Sequence, residues 1–180
     1  HMCTHKPARP LHCHVCRVAL ARRLKHYARS FMRSLTAYGQ ILTFDHVKMK
    51  HWSGAKGLRG ATDVLNTLDL FTKFKTCDPV SSKSTLENFR LLNHIRGPDY
   101  IQILYSDGFR SFQTAAALLK IAHEKSDPGV PETNAIIERC NQTILRGIRA
   151  SLLAAGLPLC FWTYAGPCFC MLDNIADGDG

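Results

Sequence analysis

Three acids stand where an acid is costly unless it does something. Asp45 closes the apolar run Leu42-Thr43-Phe44, Asp107 follows the run 100–105 after Ser106, and Glu138 lies on the seam of a long helical pattern. Loops at strand ends in α/β sheets open a crevice at the edge of the core, where ligands bind. Three carboxylates converging there without basic partners would repel one another, which implies a bound divalent cation. Two such ions about 3.5–4 Å apart can activate a nucleophile and stabilise a leaving oxygen in phosphoryl transfer. Spacing alone leaves a plainer reading open: two loop-start residues and a solvated helix acid.

A second constellation lies at the start of the chain. His1, His5, Cys13 and Cys16 supply two imidazoles and two thiolates, a full tetrahedral zinc set, with His12 and His14 as rival ligands. The competing reading is a disordered basic arm with incidental His and Cys.

Charge separates that arm from the rest. The 180 residues carry a net charge of +9, yet all 14 acids lie from Asp45 onward. Before it come Lys6, Arg9, Arg17, Arg22, Arg23, Lys25, Arg29 and Arg33. Such an arm suits a polyanion such as nucleic acid, or is a solvated tail. With 46% apolar and 21% charged residues, the chain has the composition of one globular domain with an appendage. Eight cysteines in this length fall below the density of a disulfide scaffold, and no signal-like segment opens the chain, so a reducing intracellular compartment is expected. Residues 151–172 are uncharged and long enough to cross a bilayer, but Gly156, Pro158, Gly166 and Pro167 interrupt them. They read as two buried helical pieces hinged at 156–158, with Trp162 and Tyr164 in the core and no membrane partner.

The elements that must position these residues follow from patterning. Residues 39–47 predict a strand ending in Asp45, and 62–70 with 72–77 predict a hairpin. Ser84 and Glu87 form a capping-box signal, after which Leu86, Phe89, Leu92 and Ile95 recur at helical spacing until Gly97-Pro98. A buried strand over 100–105, a helix over 112–119 and an edge strand over 121–125 come next, then a loop over 127–131. From 132 to 153, Ile136, Ile137, Cys140, Ile144, Ile148 and Leu152 fall on one helix side, opposite Arg139, Gln142, Arg146 and Arg149. Cys77, Cys140, Cys160, Cys168 and Cys170 read as core packing. This order describes an α/β domain with a mixed sheet.

Around the acids, the chain resembles the catalytic domain of retroviral and retrotransposon integrases, which have a ribonuclease H-like fold. The matching pieces are Leu42-Thr43-Phe44-Asp45-His46, Leu104-Tyr105-Ser106-Asp107-Gly108, and the stretch from Pro131-Glu132-Thr133-Asn134 through Ile137-Glu138-Arg139. The resemblance implies a mixed sheet flanked by helices, with Asp45, Asp107 and Glu138 as a triad holding two Mg2+ or Mn2+ ions. It implies trimming of DNA 3′ ends with water and their joining to target DNA, in a homo-oligomer acting in the nucleus. Asn134 and Gln142 would line the DNA side, with Arg139 and Arg146 on phosphates. Arg17, Arg22, Arg23 and Lys25 would extend that contact from the arm. Integrase-like polyproteins carry a comparable His-His-Cys-Cys segment, which favours zinc at His1, His5, Cys13 and Cys16.

The sequence departs from the family in three places. The Asn-Gly usual after the second acid is replaced by Gly108-Phe109, Ala135 follows the helix Asn, and the interval from Asp107 to Glu138 is several positions short. The expected organisation is an arm over 1–34 and an integrase-like core over 39–175. The alternative is a decayed module that binds DNA without turnover.

Overall fold

The computed structural model describes residues 33–49, 56–125 and 131–176, and of 131–134 the backbone only. The arm over 1–34 thus falls almost wholly outside the described residues, as does most of the expected loop over 127–131.

Alternating apolar and polar residues build five strands: β1 (Ile41–Lys48), β2 (Asp63–Asp69), β3 (Lys75–Val80), β4 (Ile103–Ser106) and β5 (Ala122–Lys125). They form one mixed sheet in the order β3-β2-β1-β4-β5. The expected hairpin is β2 with β3, paired antiparallel; β1 pairs antiparallel with β2, while β4 joins β1 and β5 joins β4 in parallel. The outer strands are β3, which carries Pro79, and the four-residue β5. Four helices accompany the sheet among the described residues: α1 (Thr85–Arg96), α2 (Arg110–Leu118), α3 (Pro131–Ala155) and α4 (Trp162–Ala176). The capping signal is realised, since the Ser84 side chain accepts from the Glu87 amide.

Because strand residues alternate between faces, β1 serves two environments at once. Leu42 and Phe44 point into an apolar core with Leu65, Leu104, Leu92 of α1 and Phe112 of α2. Phe44 and Phe112 meet edge to face with centroids 4.5 Å apart. Asp45 points the other way, toward α3. On that side α3 buries Ile137, Cys140, Ile144, Ile148 and Leu152, the expected stripe. Gly147 lets the ring of Phe169 from α4 come against the α3 backbone, where a Cβ would collide with it.

Some outward positions differ from expectation. Leu86 and Tyr164 are exposed, Ile136 is only partly buried, and Cys168 faces solvent. Periodicity defines a stripe, but not how wide a neighbour covers it. The hinge after α3 is present, with Gly156 at φ +62°, whereas Gly166 and Pro167 continue inside α4. Packing of Gly166 against Cys77 holds α4 to β3 through the proline. Among the described residues, no helix is long and apolar enough to cross a membrane.

Candidate active site

The parallel register brings two of the three acids together. Thr43 pairs with Tyr105, and two residues further along each chain come Asp45 and Asp107; the charge of Asp107 acts on Asp45 and also reaches His46 and His123. Neighbouring strands run about 4.8 Å apart. Asp107, one residue beyond β4, is exposed, and its carboxylate accepts from the Phe109 amide at 3.4 Å. Asp45 is half-buried within β1. Burial raises its carboxyl pKa above the ordinary range; the Asn141 hydrogen bond opposes this, and the charge of Asp107 adds to it. Neither acid forms an ion pair among the described residues.

Two amides hold Asp45 in place. The Asn141 amide nitrogen donates to Asp45 Oδ2 at 2.9 Å, and Asn141 Oδ1 accepts from Asn66 Nδ2 at 2.8 Å. Asn66 sits opposite Asp45 on β2, and both asparagines are buried. Sequence reasoning missed this pair. The available signal was an asparagine amid the apolar run of β2, and another three residues after Glu138 on the buried side of α3.

Behind the sheet, His46 Nε2 meets Asn88 Oδ1 at 2.9 Å, and Asn88 Nδ2 donates to Ser111 Oγ at 2.8 Å. The His46 ring stacks on Phe112; burial lowers its pKa, and the Asn88 hydrogen bond opposes this. This ties β1 to the first turn of α2, directly after the loop that carries Asp107. Within that loop, Gln113 Nε2 donates to the Gly108 carbonyl at 2.7 Å.

Glu138 lies on α3 three residues before Asn141, about 4.5 Å up the helix axis, with its side chain exposed. It shares the helix that contacts Asp45, but among the described residues no three His, Cys, Asp or Glu stand close enough to hold a metal together. The Asp45–Asp107 pair nevertheless suits a hard divalent cation, being all-oxygen and in no ion pair among the described residues; Lys83, paired with Asp63, acts on Asp45 only as the weakest influence. Arg139, Gln142 and Arg146 are exposed along α3. The side chain of Asn134, and all of His1, His5, Cys13, Cys16, Arg17, Arg22, Arg23 and Lys25, lie outside the described residues. Cys140 is no thiolate, since burial pushes its pKa to about 11.

The five-stranded mixed sheet with its flanking helices has the ribonuclease H-like fold of an integrase catalytic core. The HTLV-2 integrase catalytic core domain, solved in complex with magnesium in a dimeric form, matches with a TM-score of 0.51 at 16% identity. That match covers 71% of this chain and 82% of the other. In sequence the chain is homologous to the retrovirus-related Pol polyprotein from transposon TNT 1-94 of Nicotiana tabacum, at 31% identity over 112 residues. Those residues are 62% of this chain and 8% of the polyprotein. No family model matches.

Proposed function

We propose that the chain is the catalytic part of a retrotransposon integrase, acting on DNA in the nucleus by 3′-end processing and strand transfer. The observation that carries this reading is that Asp45 and Asp107 lie close enough for the charge of one to act on the other, with neither in an ion pair among the described residues. Asp45 and Asp107 would hold Mg2+ or Mn2+, with Glu138 reaching in from α3. Bound there, two such ions would activate water or a DNA 3′ hydroxyl and stabilise the leaving oxygen. Asn141 orients Asp45, and its hold on Asn66 keeps that carboxylate from turning away. Arg139, Gln142 and Arg146, with Asn134, would carry backbone phosphates along the same helix.

The arm over 1–34 would add Arg17, Arg22, Arg23 and Lys25 to the DNA contact and hold zinc through His1, His5, Cys13 and Cys16; zinc content of the intact chain checks that set. Homo-oligomerisation is supported by the dimeric form of the HTLV-2 domain and by Tyr164, Met171, Leu172 and Ile175, all exposed on α4.

A second reading, a DNA-binding module without turnover, is favoured by the exposed Glu138 and the short segment after Asp107. Asp107→Asn decides between them. It should abolish Mg2+- or Mn2+-dependent nicking of duplex DNA and leave binding unchanged or slightly tighter. Binding should weaken steeply with salt as counterions are released. A wild-type chain that binds DNA and cuts nothing with either metal overturns the enzyme reading.

A further inference from the structure

Past the hinge, the second half of α3 and the start of α4 leave a groove beside the end of β1. Its volume is about 590 Å3, within the roughly 300–1,000 Å3 of pockets that hold specific ligands. Leu145, Ile148 and Leu152 of α3 form the floor, and Leu159 and Trp162 form the end wall. Lys48, Lys56 and Arg149 stand at the rim, all three exposed, and among the described residues no acid lines the groove. Ile148 lies about 10 Å along α3 from Asn141, so this is a separate place from the acids.

We propose that this groove docks an acidic amphipathic peptide helix. Its apolar side chains would lie on the aliphatic floor and its carboxylates against Lys48, Lys56 and Arg149. Charge complementarity selects an anionic occupant, because three cations surround the opening and none of them is in an ion pair among the described residues. A nucleic acid would place phosphates against the same cations, but it has no aliphatic surface to cover the floor of Leu145, Ile148 and Leu152. Trp162 is only 7% exposed and gives no open face for stacking. A fatty acyl chain would leave one side wet, because the groove is half open along its length. A helix tolerates that geometry, burying one stripe and keeping the other in water. The floor from Leu145 to Leu152 spans two turns, the reach of apolar anchors at i, i+4 and i+7. None of this depends on whether Asp45 and Asp107 turn over DNA.

The test uses the intact chain and two labelled designed helices sharing one leucine stripe, one with glutamates on its polar face and one with lysines. The glutamate helix should bind saturably, at least about tenfold tighter than the lysine helix, a difference of about 1.4 kcal/mol. The charge reversal K48E/K56E/R149E should invert that preference, and Leu159→Asp should weaken the glutamate helix. Circular dichroism establishes that each variant is folded. If the triple reversal does not fold, Lys56→Glu alone must still weaken the glutamate helix. Equal binding of the two helices, or a preference that survives charge reversal, overturns the proposal. So does binding of laurate or a single-stranded oligonucleotide at this rim with no glutamate helix bound.

Discussion

The two faces of the sheet are made by the same strands and do different work. Toward α1 and α2, β1 presents Leu42 and Phe44 to an apolar core, and its polar member, His46, bonds Asn88 and stacks on Phe112. Toward α3, the same strand presents Asp45, and β2 answers with Asn66 rather than an aliphatic residue. One face gains stability from burial. The other keeps a carboxylate half in water beside a second one, an arrangement that costs stability until a cation arrives. Stability and candidate chemistry are thus separated by a single alternation along β1.

Three measurements can break or sharpen this contrast. The largest effect should come from the apolar face: Phe44→Ala empties the centre of the core and should cost about 3–5 kcal/mol in denaturant unfolding. A loss under 1.5 kcal/mol would mean that the α1/α2 face does not carry the fold. Next, Asn141→Ala strips the partner from both Asp45 and buried Asn66, and should cost about 1–3 kcal/mol. Unlike Phe44→Ala, it should also reduce any rise in Tm produced by Mg2+; equal Mg2+ effects in the two variants would sever Asn141 from the acid pair.

The smallest effect concerns Asp78, a carboxylate on the α1 side of β3. Burial raises its pKa above the ordinary 3.8, with the Thr76 hydroxyl bond and the charge of His94 opposing. A raised folded pKa gives stability that is present below the ordinary value and lost as pH rises through the folded value. Asp78→Asn should therefore raise Tm at neutral pH, with the gain shrinking on acidification. A gain that does not vary with pH would assign the effect to something other than ionisation.

Most of the architecture was legible because turns and caps punctuate this chain strongly. Ser84, Gly97-Pro98 and Gly156 mark helix ends where the structure has them, and the apolar runs around Phe44 and Leu104 mark adjacent parallel strands. Asp45 and Asp107 stood out in the sequence because both acids lie at the ends of apolar runs. The Asn66–Asn141–Asp45 chain was illegible for a different reason. An asparagine in a strand and another on a helix acquire meaning only when a contact across 75 positions joins them. Solvent exposure of Leu86, Tyr164 and Cys168 was hidden likewise, because a one-dimensional pattern does not state where a covering neighbour ends.

The outer strands limit how copies of this fold can associate. Pro79 removes a donor from the rim of β3, and β5 offers four residues, three of them His123, Glu124 and Lys125. Neither rim is a template on which a second sheet could continue its ladder. Growth by strand addition is therefore blocked at both ends, and any assembly of several copies has to be built through helical surfaces. Neighbouring copies would then meet helix to helix, with each sheet ending inside its own chain.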